Sequence, residues 1–364
     1  MRSMKVNLDK KTLSSYEICI GSSISDRLAL LISKNHKANH HVIITDSNVS
    51  RLHGQKFLAY LKDAGLNVDF IEFPAGEASK NINTALDITG KLLELGADRN
   101  SMLIAFGGGV VGDMTGFIAS VFMRSIPYIQ VPTSLIAQVD SSIGGKTAID
   151  LPFGKNLLGT FYQPQAVFSD LNYLTTLPEK ELKNGLAEII KYAVIDDEKI
   201  FHLLEGNMDQ VKSKDPVLLL KLVETCCRIK KSIVEIDEKE QGLRRILNYG
   251  HTLGHAFEAE SNFAISHGEA VSMGMIAATR ISENSGYLDS DSRDRIENLI
   301  IESGLPSYIP SNLETDKIIS RLKMDKKKEG SVIHFVLLKK IGMPFVNGGI
   351  DDKIIMSVIE GMKQ

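Results

Sequence analysis

Up to about residue 175 the chain alternates short apolar runs with amphipathic stretches. The runs are His41-Val-Ile-Ile-Thr-Asp46, Val68-Asp-Phe-Ile-Glu-Phe73, Met102-Leu-Ile-Ala-Phe106, Tyr128-Ile-Gln-Val131 and Ala166-Val-Phe-Ser-Asp170. Each has the length of a strand buried on both faces, and residues 50–64 and 82–95 between them place apolar side chains at helical spacing. Strand and helix in alternation predict a parallel sheet covered by helices. After Leu177-Pro178-Glu179 the spacing turns helical, over 181–195, 216–236, 268–285 and 291–303. Residues 332–338 followed by 342–346 are the exception and read as a small hairpin. The pattern predicts an α/β domain over residues 1–178 and a mostly α-helical domain over 179–364, packed around a shared cleft of the kind that holds small molecules.

Length and charge narrow the partners. A chain of 364 residues exceeds one typical core, in keeping with two domains. Lys+Arg minus Asp+Glu is 42 − 45 = −3, so no overall basic field draws nucleic acid or an anionic membrane, and an anion site has to be local. Met1 is not followed by the apolar core of a signal peptide, and no apolar run reaches the ~18 residues of a membrane span. A cytoplasmic protein with neither membrane nor nucleic-acid partner is expected. Cys19, Cys226 and Cys227 form neither a disulfide framework nor a CxxC pair, which fits free thiols in a reducing compartment.

Candidate chemistry gathers in four places. The stretch from Asp140 to Lys146, with Gly154-Lys155-Asn156 after it, combines glycines, lysines, a carboxylate and an amide without clear hydrophobic periodicity. It reads either as a loop holding an anion or as solvated turns with snorkelling lysines. Gly107, Gly109 and Gly112 follow an apolar run and open a helical pattern, matching the spacing of a dinucleotide loop, though a plain tight turn meets it too. The usual acidic residue about 20 positions further on is missing, and Asp46 with Asn48, at the end of an earlier strand, can take its place. Glu188, His251 and His267 are candidates for a carboxylate and imidazole metal site, against a reading as capping or buried satisfied groups. His255 shares a helix face with His251, and Thr252 directly after His251 argues against a metalloprotease motif. Lys191 three residues after Glu188, Arg244 with Asn248, Lys230 and the run Lys326-Lys327-Lys328 supply cations for a substrate with more than one anionic group.

Seven strings then give the chain a resemblance. GGGVVGDMTGF (107–117), QVPTSLIAQVDSSIGGKTAID (130–150), GKNLLGTFYQP (154–164), TLPEKELKNGLAEIIKYAVI (176–195), LNYGHTLGHAFE (247–258), HGEAVSMGM (267–275) and MDKK (324–327) occur in the order found in the 3-dehydroquinate synthase family, which the chain resembles over most of its length. The resemblance implies a Rossmann-like N-terminal domain that binds NAD and a helical C-terminal domain that binds metal and substrate. It implies one zinc or cobalt ion on Glu188, His251 and His267. NAD falls to Asp46, Asn48, Gly76, Glu77, Lys80, Gly108, Gly109, Val110, Val111, Gly112, Asp113, Thr133, Ser134, Lys146, Lys155, Tyr173 and Thr176. Substrate contacts fall to Asp140, Lys146, Asn156, Lys191, Lys230, Arg244, Asn248, His255 and Lys326, with Arg124 reaching in from the partner subunit of a homodimer. The implied reaction turns 3-deoxy-D-arabino-heptulosonate 7-phosphate into 3-dehydroquinate and phosphate. It runs through transient oxidation at C5, β-elimination of phosphate, reduction, ring opening and intramolecular aldol closure, in the shikimate pathway. The alternatives are another sugar phosphate cyclase or a metal-dependent alcohol dehydrogenase of the glycerol dehydrogenase type.

Overall fold

The computed structural model describes residues 1–6, 15–35, 38–196, 198–329 and 333–364. They form two compact units, Met1–Pro178 with Leu219–Glu238, and Glu179–Leu218 with Lys239–Gln364.

The first unit is built on a seven-stranded sheet. Its strands are β1 (Arg2–Val6), β2 (Tyr16–Gly21), β3 (His40–Asp46), β4 (Val68–Phe73), β5 (Ser101–Gly107), β6 (Tyr128–Pro132) and, after the hairpin β7 (Lys146–Leu151) and β8 (Gly154–Phe161), β9 (Ala166–Asp170). The order across the sheet is β1-β2-β9-β6-β5-β3-β4, parallel throughout except for the β1–β2 pair. Every residue of β5, β6 and β9 is buried. A strand covered on both faces has no polar side to show, which is why these segments read as unbroken apolar runs. Alternate residues of β5 feed two cores. Leu103 and Ala105 pack with Ile88 and Leu92 of the Ile82–Glu94 helix and with Met114 and Ile118 of the Gly109–Val121 helix. Met102, Ile104 and Phe106 pack with Leu28 and Ile32 of the Ser25–Asn35 helix and Phe57 and Leu61 of the Gln55–Asp63 helix.

All five predicted strands are present. Four further strands in this unit are absent from the sequence pattern, each for a physical reason. β1 is an edge strand with only Val6 buried, so it carries no apolar run. β2 holds acidic Glu17 amid its buried residues. In the β7–β8 hairpin only Thr147 and Ile149 of β7 are fully buried, and none of β8 is. The segment before it is better packed than its polar sequence indicates, since Gln138, Val139, Ser142 and Ile143 are all buried.

The second unit is mostly helical, as predicted. The Glu179–Ile195 helix starts directly after Pro178 with Glu179 and Glu181 in its first turn, where negative charge meets the positive end of the helix dipole. With it stand the Glu198–Glu205, His251–Glu260, His267–Asn284, Ser290–Glu302 and Asp352–Gly361 helices and the hairpin β10 (His334–Leu338) and β11 (Pro344–Gly348). Val332, placed at the start of the predicted hairpin, lies outside the described residues. Among the described residues no helix is long and apolar enough to cross a membrane.

Candidate functional site

In the first unit the sheet order creates a place for a ligand. The chain runs from β3 outward to β4, then crosses back to β5 on the other side of β3 and continues away to β6. The crevice beyond the carboxyl ends of two such strands is where open α/β sheets bind ligands. Asp46 ends β3 and Gly107 ends β5, so this acid stands at the end of the strand adjacent to the one that leads into the glycine loop. Its Oδ1 accepts from the N–H groups of Asn48 (2.8 Å) and Val49 (3.0 Å). Gly108 is the N-cap of the Gly109–Val121 helix and brings no side chain to it, so Gly109, Val110 and Val111 lie at a helix start suited to an anion. Space is tight around the turn. A Cβ on Gly107 would sit 2.4 Å from Val111 Cγ2, and one on Gly112 would sit 2.7 Å from Gln130 Oε1. Thr133 N–H donates to the Gly107 carbonyl (2.9 Å), and Ser134 Oγ would lie 3.3 Å from a Cβ on Gly108.

A polar knot lies beside this loop. Lys80 Nζ donates to Asp113 Oδ2 (2.6 Å) and Asn156 Oδ1 (2.5 Å), while Lys155 Nζ is 3.8 Å from Glu77 Oε1. The Gly76–Lys80 turn is tied to the hairpin by Asp150 N–H donating to the Lys80 carbonyl (2.7 Å), and within the hairpin Asp150 Oδ1 accepts from Asn156 N–H (2.8 Å). Burial raises the carboxyl groups of Asp113 and Glu77 above their ordinary values against the pull of Lys80. For Lys80 itself, burial works downward, but Asp113 and Glu77 raise it overall.

Asp140 and Lys230, far apart in sequence, meet in this unit. Lys230 Nζ lies 3.0 Å from Asp140 Oδ1 and donates to its carbonyl at 2.7 Å. Lys146 opens β7 with its side chain exposed. Tyr173 and Thr176, in the turn after β9, are joined by a residue the sequence did not single out. His53 Nε2 is 2.8 Å from Thr176 Oγ1, and its ring meets Tyr173 edge-on with centroids 5.1 Å apart. Arg124 is exposed in a run of left-handed backbone, with φ of 49° at Met123, 69° at Arg124 and 89° at Ser125. Such strain in non-glycine residues gathers at functional sites.

In the second unit three helices bring Glu188, His251 and His267 together. Gly250, at φ 79°, turns the chain into the helix that begins at His251. A Cβ on Gly274 would sit 1.9 Å from the Gly250 carbonyl oxygen, and one on Gly268 2.6 Å from Asn184 Cα. These absent side chains let the His267–Asn284 helix lie against both neighbours. His267 Nε2 then stands 3.2 Å, and His251 Nε2 3.5 Å, from Glu188 Oε1. The ligand atoms of the three lie within 4.8 Å of one another. Tyr249 O accepts from His251 Nδ1 at 3.1 Å, which leaves Nε2 toward the cluster. Lys191 Nζ contacts Glu188 Oε2, and both side chains are almost wholly buried. Burial pushes the Glu188 carboxyl up, but Lys191 and His251 hold it well below the usual carboxylate range. Burial lowers the pKa of His267, yet Glu188 and Glu258 overrule it and raise it to about 9. A buried carboxylate facing two imidazoles is a donor set that fits zinc or a similar divalent ion.

Around this cluster His255 is exposed, with its ring centroid 5.4 Å from that of His251 and 6.2 Å from that of His267. Arg244 is buried, and Asn248 Nδ2 donates to Glu240 Oε1 at 2.7 Å. Glu240 was invisible in the sequence because nothing marks it among neighbouring charged residues. Lys326 and Lys327 lie outside the residues whose side chains are described.

A parallel sheet with a glycine loop at its switch point, followed by helices carrying a carboxylate and two imidazoles, is the architecture of the sugar phosphate cyclases. One solved 2-deoxy-scyllo-inosose synthase, complexed with carbaglucose-6-phosphate, NAD+ and Co2+, superposes with a TM-score of 0.88 at 26% identity, covering 99% of this chain and 100% of its own. A 2-epi-5-epi-valiolone synthase from Streptomyces hygroscopicus subsp. jinggangensis 5008, with NAD+ and Zn2+ bound, gives 0.89 at 25% identity over 98% of this chain and 99% of its own. Residues 70–184 match the family model of the 3-dehydroquinate synthase N-terminal region, and residues 185–328 that of its C-terminal region. The 3-dehydroquinate synthase of Desulforamulus reducens is 44% identical over 360 residues, 99% of each chain. The chain belongs to the 3-dehydroquinate synthase family.

Proposed function

We propose that the chain converts 3-deoxy-D-arabino-heptulosonate 7-phosphate into 3-dehydroquinate and phosphate, with NAD and one zinc or cobalt ion as cofactors. The reading is carried by the convergence of Glu188, His251 and His267 beside Lys191 in a chain of this family. NAD supplies a transient hydride acceptor for the C5 carbinol, and the divalent ion a Lewis acid for the neighbouring hydroxyls. In the first unit Asp46, Asn48, the Gly76, Glu77 and Lys80 turn, the loop from Gly108 to Asp113, Thr133, Ser134, Lys146, Lys155, Tyr173 and Thr176 hold the dinucleotide. The N–H groups at the start of the Gly109–Val121 helix would take the pyrophosphate, and the partly buried Lys80–Asp113 pair would steady the loop.

The substrate carries a carboxylate and a phosphate. Arg244 and Lys230 take the carboxylate, which sets this substrate apart from those of the other cyclases. Lys146, Asn156, Asn248, His255 and Lys326 take the phosphate, and Asp140 and Lys191 orient the rest. Once C5 is a ketone the C6 proton is acidic, and a phosphate oxygen removes it as the C7–O bond breaks. The side chains contribute orientation and charge stabilisation. Buried free thiols at Cys19, Cys226 and Cys227 support a reducing, cytoplasmic setting, and the exposed, strained Arg124 supports a homodimer in which it serves the partner's site.

The test is phosphate release from the heptulosonate phosphate, from sedoheptulose 7-phosphate and from glucose 6-phosphate, each with and without NAD and a chelator. Turnover of the first alone, lost when NAD or metal is withdrawn, is expected. Preference for either of the others, or activity in protein proven free of both cofactors, would sink the proposal.

A further inference from the structure

We infer that Glu258 is a positioning residue for the metal site, holding His267 in the tautomer and orientation that present Nε2 to the ion; the inference rests on the metal reading above. A metal-binding imidazole uses one nitrogen for the ion and needs an acceptor for the N–H on the other. For His251 that acceptor is the neutral Tyr249 carbonyl, 3.1 Å from Nδ1. The group facing His267 Nδ1 is the Glu258 carboxylate, with Oε2 at 3.6 Å. Nε2 of the same ring lies 3.2 Å from Glu188 Oε1, so the ring is spanned by two carboxylates, one at each nitrogen.

Glu258 is only 2% exposed. A carboxylate this deeply buried has to be compensated, and a group with no task there would cost stability. Its place in sequence is also informative. His251 and Glu258 are two turns apart on the His251–Glu260 helix, so one helix face offers a ligand at its start and the orienting carboxylate further along. The two imidazoles therefore have unequal partners. A charged acceptor makes His267 the stronger electron donor of the pair, and its removal disturbs the site more than loss of a neutral acceptor.

A competing arrangement is a second ion on His255, Glu258 and His267, whose ligand atoms also lie within 4.8 Å of one another. Serving two ions would require the His267 ring to give up its remaining N–H proton, since a neutral imidazole has one acceptor nitrogen only. The positioning role requires no such ionisation.

The test uses the full chain, stripped of metal and titrated with Zn2+ against a chromophoric chelator, for the parent, Glu258→Gln and Glu258→Leu. Glu258→Gln keeps shape and an acceptor oxygen but loses the charge, and should bind Zn2+ about tenfold more weakly. Glu258→Leu should bind it up to about a hundredfold more weakly. The Co2+-loaded Glu258→Gln chain should show an altered visible ligand-field spectrum while its NAD titration and thermal unfolding match the parent. One ion per chain is expected throughout. Zn2+ affinities within twofold of the parent in both variants, or two ions per parent chain, would overturn the assignment. A parent chain that takes up no ion would overturn the metal reading and this inference with it.

Discussion

In the first unit the surface offered to a ligand is largely backbone, the Gly107–Gly112 turn and the start of the helix behind it, with Asp46 on the neighbouring strand. In the second unit it is side chains, with Glu188, His251 and His267 drawn from three helices and compensated by Lys191 and Glu258. Glycine serves both, but differently. Gly107 and Gly112 make room for the loop's own neighbours, whereas Gly268 and Gly274 let whole helices approach. A backbone site is written in consecutive residues, and a side-chain site depends on how far apart its helices sit. Damage to one should therefore leave the other intact.

The largest effect should come from the centre of the side-chain site. Glu188→Gln keeps the size of the side chain but removes the charge that faces Lys191, His251 and His267. A Lewis acid contributes several kcal/mol to such a transition state, so turnover should fall by on the order of a thousandfold. Metal content should fall with it, measured by elemental analysis, while NAD affinity stays at the parent value. Next in size is Gly274→Ala. The added Cβ meets the Gly250 carbonyl 1.9 Å away, a backbone atom that cannot swing aside. Overpacking of this kind costs about 3 kcal/mol, to be read from denaturant unfolding of the second unit, with weaker Zn2+ binding alongside. Unchanged stability would show that the helices have slack and that the spacing argument is wrong.

Gly107→Ala is the counterpart in the first unit. Its Cβ would press on Val111 at 2.4 Å and push the helix start from the end of β5. A tenfold loss of NAD affinity, about 1.4 kcal/mol, is expected by fluorescence titration, with Zn2+ affinity unchanged. Loss of both would mean that the sites are not separately built.

The same contrast explains what could be read from sequence. β3, β4, β5, β6 and β9 were legible because burial on both faces leaves its mark in consecutive residues, and the glycine loop because strand, turn and helix follow directly. The β7–β8 hairpin was not, since it lies outside the main sheet and its fully buried residues, Thr147 and Ile149, are both on β7. Glu188, His251 and His267 follow no local spacing, so the residues alone made them candidates beside a reading as ordinary buried polar groups, and the resemblance to a known family favoured them as ligands. Glu240, His53 and the place of Glu258 beside His267 stayed hidden because each depends on a partner brought near by tertiary packing.

The smallest effect tests whether Asp46 has one task or two. Oδ1 is already engaged with the N–H groups of Asn48 and Val49, a capping arrangement that asparagine performs about as well as aspartate. Asp46→Asn should therefore leave stability within about 0.5 kcal/mol of the parent, whereas Asp46→Ala should lose about 1 kcal/mol with the cap. The ribose hydroxyls of a dinucleotide ask for something else, the charge and second acceptor of a carboxylate at the end of the strand. Asp46→Asn removes these and keeps the cap, so its NAD dissociation constant should rise about threefold, or roughly 0.6 kcal/mol. If isothermal titration finds NAD binding unaltered in Asp46→Asn and weakened in Asp46→Ala, Asp46 acts only through the local backbone. Its side chain would then belong with the backbone site.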